Sequence, residues 1–185
     1  EVLLNADGTA HCKGLRHSVL DEAESYIGFA SRTEKVKFNA IMGANTLSPL
    51  NFRILSVEDN FEDWSNMPDG EEYIPESTII YEFDAANYAK VTGDRIFLNV
   101  NPFAVNIYAD RKPRINDFVR SRRKVIEEAV TLTLPQGYVV ESIPNTSEII
   151  NPFGSFKTQV SQDDGKINII QTLTLIPGRY PKEEY

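Results

Sequence analysis

The chain has 185 residues, 41% of them hydrophobic and 25% charged, which is enough apolar material for one large or two small cores and too little charge for a disordered or fibrous protein. Its net charge of −8 is spread along the whole length, so phosphate backbones are repelled and nucleic acid is an unfavoured partner. One cysteine, Cys12, excludes an intrachain disulfide and a cysteine-rich metal centre, and no apolar run reaches membrane-spanning length.

Glu1-Val-Leu-Leu enters a strand-like pattern directly, so the chain reads as a piece of a longer protein. Residues 2–10 form a hairpin pattern with Asp7-Gly8 at the tip and Thr9–Leu15 returning. From Ser18 the period changes: Val19, Leu20, Ala23, Tyr26 and Ile27 recur at helical spacing, with Asp21 and Glu22 in the first turn. Val36, Phe38, Ala40, Ile41 and Met42 follow a Ser31 or Thr33 cap, giving a second short helix stopped by Gly43 and Asn45.

Leu50–Val57 reads as a strand with Phe52, Ile54 and Ser56 on one face. Glu58–Glu76 is an acidic, bent connection or edge strand carrying Trp64, Pro68, Gly70 and Pro75. Thr78–Phe83 and Arg95–Val100 are strands, and Tyr108–Asn116 is where two halves join. The basic run Arg120–Lys124 reads as a solvated lead-in to the next strand. The C-terminal part is a series of antiparallel strands: Val130–Leu134 ending at Pro135-Gln-Gly137, Tyr138–Ile143 ending at Pro144, Phe156–Val160, and Lys166–Ile176. The last two flank Asp163-Asp-Gly165, a primed-turn signal.

The pattern predicts a mainly β chain, α+β by content: an antiparallel β-sandwich with a short helical insertion at about 18–45. Its predicted divisions are 1–112, containing the insertion, and 113–185, unless the two form one continuous domain. Gly8, Gly137 and Gly165 are expected to serve turns.

Three groups of residues carry candidate chemistry. Cys12 has His11 and His17 nearby in sequence, but both lie at odd separations along a strand, which places them on the opposite face. No catalytic triad is therefore expected within the chain. Glu58, Asp59, Glu62, Asp63, Asp69, Glu71 and Glu72 offer carboxylates without the spaced Asp/Asn-Gly pattern of a calcium loop, so a solvated loop is the simpler reading and no metal is expected. Among the aromatics, Tyr81, Tyr88 and Tyr108 fit core or cross-strand positions. Trp64, beside Asp63, together with Tyr73, makes the candidate ligand-stacking site for a glycan or peptide.

Three strings resemble a known module: residues 132–144 (LTLPQGYVVESIP), 151–156 (NPFGSF) and 178–185 (GRYPKEEY). They are similar to the C-terminal domain of unknown function that follows the transglutaminase-like core in bacterial, mostly Bacteroidetes, transglutaminase-like and putative protease proteins. Residues 3–10 and 89–97 resemble the region just after that core. The resemblance implies an exported accessory domain in the periplasm or at the cell surface, with the upstream core of the same polypeptide as its partner. It carries over no catalytic residue and no cofactor. The alternative is an independent carbohydrate- or peptide-binding sandwich built around Trp64.

Overall fold

The computed structural model describes residues 1–42, 47, 49–61, 73–99 and 115–183. The expected helix stop at Gly43 and Asn45, the Asp63/Trp64 segment and Tyr108 lie outside the described residues. The chain is mainly β with a short helical insertion near its N-terminus, and it divides into two compact units, Glu1–Val105 and Asn106–Tyr185.

In the first unit β1 (Val2–Leu4), β2 (Ala10–Val19), β3 (Pro49–Asp59) and β4 (Glu76–Ala85) pair antiparallel in the order β3-β4-β2-β1. Asp7 builds the β1–β2 turn, its Oδ1 accepting from the Thr9 amide at 3.0 Å and the Thr9 hydroxyl at 2.7 Å. Gly8 follows at φ 86°, where a Cβ would sit 2.5 Å from the Ala89 carbonyl oxygen, so this turn requires glycine for both backbone and space.

Alternation along β2 sends Ala10, Cys12 and Ser18 inward and His11, Lys13, Leu15 and His17 outward. The inward residues meet inward residues of β4: Cys12 faces Phe83, Gly14 faces Tyr81 and Ser18 faces Ser77. The Tyr81 ring lies directly over Gly14, filling space that a side chain there would need. Helices cover this face farther along: α1 (Asp21–Glu24), a 3₁₀ turn (Phe29–Ser31) and α2 (Glu34–Met42). Tyr26, Phe29 and Ile79 form the buried cluster, flanked by Ala40, Ile41, Ile54 and Val57. Arg16 reaches across to donate to the Ala40 carbonyl at 3.1 Å, tying β2 to α2.

The start of the helical insertion differs from its expected position. Ser18 and Val19 belong to β2, paired with Ser77 and Glu76, and the turn comes at Leu20, which holds φ 55°. β4 extends far enough to offer ladder partners, and those outweigh the helical spacing of the side chains. Thr33 occupies the position before α2, its carbonyl accepting from Val36 and Lys37 at 2.9 and 3.0 Å. A separate hairpin joins β5 (Ala89–Thr92) to β6 (Arg95–Leu98).

In the second unit β8 (Lys124–Thr133), β9 (Ser147–Asn151), β10 (Gly154–Asp163) and β11 (Lys166–Leu175) pair antiparallel in the order β8-β11-β10-β9. A two-stranded ribbon, β7 (Phe118–Arg120) with β12 (Gly178–Tyr180), accompanies them. The β10–β11 turn has Asp164 at φ 43° and Gly165 at φ 73°, the double positive φ of a type I′ hairpin. Gly137 also has positive φ, 86°.

Tyr138–Ile143 is not a strand. The segment alternates in sequence, but no strand among the described residues forms a ladder with it, and alternation without a partner's backbone does not make one. The neighbouring strand is instead β9, closed against β10 by the Asn151 side chain, which accepts from the Phe153 and Gly154 amides at 2.9 and 3.1 Å.

Candidate functional site

The outward face of the first unit's sheet carries its polar chemistry. His11 and Asp84 are direct cross-strand partners, with His11 Nδ1 2.9 Å from Asp84 Oδ1. Asn51 donates to the other carboxylate oxygen at 2.8 Å, and its backbone at φ 52° lies within an interrupted stretch of the β3–β4 register. The Asn51 hydrogen bond, followed by that from His11, holds Asp84 below the ordinary aspartate range. Arg53 pairs with Glu82 beside them, and His17 Nδ1 lies 3.1 Å from the Thr78 hydroxyl.

Asp84 fixes the His11 ring and its tautomer, as a carboxylate does in many catalytic and ligand sites. The thiol next to it in sequence is on the other face. Cys12 is 2% exposed, and burial is the main cause pushing its thiol up to about 12. At neutral pH it is therefore protonated and shielded, the reverse of an activated nucleophile. Tyr88 shares this interior; burial raises its phenol further, and its hydroxyl has no hydrogen-bond partner among the described residues. His17 also faces outward, so neither imidazole meets the thiol.

Tyr73 is half-buried, and its hydroxyl lies 3.3 Å from the Asn60 carbonyl oxygen. Asn60 also accepts from the Glu76 amide at 2.8 Å and donates to the Ile74 carbonyl at 2.9 Å. The Tyr73 hydroxyl thus joins an arrangement that ties the end of β3 to the start of β4. Asp63 and Trp64, the other members of the candidate stacking site, lie outside the described residues. Glu58 and Asp59 are exposed at the end of β3, and among the described residues no group of three or more His, Cys, Asp or Glu is close enough to hold a metal ion.

An open hollow of about 490 Å³ runs along the outer edge of β3, lined there by residues 52–57 and across from them by Ala30, Glu34 and Lys37. Lys37 is paired to Glu34 at 3.0 Å. Sequence reasoning missed this hollow and the His11–Asp84–Asn51 arrangement. Both depend on register, and the one local signal was an Asn inside an apolar strand pattern, a residue type that tolerates positive φ.

In the second unit one sheet face carries an apolar row that is incompletely covered. Cross-strand partners Ile126, Leu173, Phe156 and Ile149 form a row across all four strands; the first three are half-buried and Ile149 is 63% exposed. The adjacent row holds the buried pair Gln171 and Thr158, bonded at 3.3 Å. The three most exposed large apolar side chains among the described residues, Ile115, Val139 and Ile150, also belong to this unit.

No curated protein and no solved structure matches the chain. Residues 94–185 match the family model DUF3858, so the second unit lies within a domain of unknown function of that kind.

Proposed function

We propose that the chain is a non-catalytic accessory module that packs against the transglutaminase-like core of an exported bacterial protein. The observation that carries this reading is the row Ile126–Leu173–Phe156–Ile149, which crosses the sheet and ends at the exposed Ile149 on β9. An apolar stripe of this kind gains about 25 cal/mol for each Å² taken out of water, and a neighbouring domain supplies the missing cover. The likeness of residues 132–144, 151–156 and 178–185 to the module following such a core supports the identity of that neighbour. The buried, protonated Cys12 supports a structural role for the chain's only thiol.

The reading is tested by mixing the chain with a separately produced transglutaminase-like core and following co-elution and heat of binding. Saturable association at micromolar concentration is expected, and Ile149→Asp should weaken it at least tenfold without altering the chain's circular dichroism. No association at high micromolar concentration would refute it, as would thiol-dependent turnover by the isolated chain that Cys12→Ser abolishes.

A further inference from the structure

Strand β9 is exposed along its full length, with Ile149 at 63% and Ile150 at 74%, and it ends the sheet beyond β10. The loop joining it to β10 has only two residues, Pro152 and Phe153, so Asn151 and Gly154 are a hydrogen-bonded pair. Antiparallel pairs alternate, so Ile149 and Ser147 also direct their backbone groups to β10, whereas Glu148 and Ile150 turn theirs to the open edge. Those outward groups have no partner among the described residues. Within Ser147–Asn151 there is no lysine, no proline and no break in register, so short length and the single charge of Glu148 are all that guard the edge.

We propose that this edge pairs antiparallel with β9 of a second copy of the chain, about a two-fold axis through Ile149. The sequence selects that register. An axis at Glu148 would oppose two carboxylates, which is unfavourable in a cross-strand pair. An axis at Ile150 or Asn151 would place Glu148 or Ile150 against Pro152, and an axis at Ser147 would place Ile150 against Pro144; neither proline has an N–H to give. With the axis at Ile149, each Glu148 faces Ile150 of the other copy, and the outward N–H and C=O groups of both are satisfied. The two Ile149 side chains then meet as a close non-hydrogen-bonded pair, a favourable contact between β-branched residues. Five residues bury far less than the roughly 1,200 Å² of a standard stable interface, so the dimer is weak and concentration-dependent.

The test uses the full chain, first by sedimentation velocity from low to high micromolar concentration, then by oxidation of single-cysteine variants on a Cys12→Ser background. A reversible dimer should appear with rising concentration. Ile149→Cys should cross-link at least tenfold faster than Glu148→Cys or Ser147→Cys, because the two-fold axis leaves only position 149 opposite itself. Ile150→Pro should abolish the dimer while leaving the melting temperature within a few degrees and leaving binding to a transglutaminase-like core intact. A monomer throughout the range, equal cross-linking at the three positions, or a dimer indifferent to Ile150→Pro would each overturn the proposal. Cross-linking at Ile149→Cys to a different protein, with the chain itself monomeric, would overturn it equally.

Discussion

Each unit contributes four antiparallel strands, and the two units bury them in different ways. The first puts helices over one face: Phe29 from the 3₁₀ turn and Tyr26 beside it close over Ile79, and Arg16 holds the end of α2 by its Ala40 carbonyl. Its edge strand β3 is interrupted twice in register, and Asn51 takes positive φ within one of those interruptions. The second unit pairs β8, β11, β10 and β9 without interruption, joins β9, β10 and β11 by two-residue turns, and leaves an apolar row partly open. The first therefore rests on contacts distant in sequence. The second combines two-residue turns with the longer-range β8–β11 pairing and leaves apolar side chains exposed.

The largest expected effect falls on the first unit's interior. Phe83 is 1% exposed, faces Cys12 and stacks on Tyr81 at 6.4 Å, so Phe83→Ala should cost about 3–5 kcal/mol. Hydrogen exchange should show β2 and β4 opening more easily while β10 and β11 keep their protection. Equal loss in both units would erase the distinction between them. In the second unit the sensitive point is a turn: Gly165→Val forces a β-branched residue to φ 73° and should cost roughly 1–2 kcal/mol, read as a lower melting temperature. Asp163→Asn keeps the local geometry and should change stability by less than about 0.5 kcal/mol.

Arg16→Met retains an apolar stem but removes the donor to the Ala40 carbonyl, so it should cost about 1 kcal/mol and speed amide exchange in α2. The smallest effects are electrostatic, one in each unit. Asp84 is lowered by Asn51 and His11, Asp117 by Arg179, whose Nε donates at 2.9 Å. A depressed folded-state value means that the contribution is present above the unfolded aspartate value, about 3.9, and is lost as pH falls through the lower folded value. Asp84→Asn and Asp117→Asn should each differ from the parent at neutral pH, and the difference should shrink as pH drops below about 4. Denaturant midpoints measured across that interval decide it; a difference that grows on acidification would contradict both assignments.

Turns were the legible part of the sequence. Asp7-Gly8 and Asp164-Gly165 announce themselves through residues that tolerate positive φ, and both hairpins form where that chemistry lies. Ser18-Val19 misled because helical spacing of side chains says nothing about the ladder partners Ser77 and Glu76, which lie more than fifty residues away in sequence. Tyr138–Ile143 misled in the opposite sense, alternating like a strand with no ladder partner among the described residues. β9 went unseen because Ser-Glu-Ile-Ile-Asn is too short to show a period, and its partner β10 is what makes it a strand. The candidate chemistry follows the same rule. The separation of His11 from Cys12 is a local fact of alternation, readable from sequence, whereas the meeting of His11 with Asp84 and Asn51 needed three strands in register.

The proposed working surface is the second unit's open apolar row and not the chemistry-bearing groups of the first. Hydrogen–deuterium exchange of the chain, alone and with a saturating transglutaminase-like core, tests this most directly. New protection is expected across β9, β10 and the Ile126 and Leu173 segments of β8 and β11, with residues 52–57 and Tyr73 unchanged. Protection confined to the β3 hollow or to Tyr73, with the β8–β11 sheet unaffected, would contradict it.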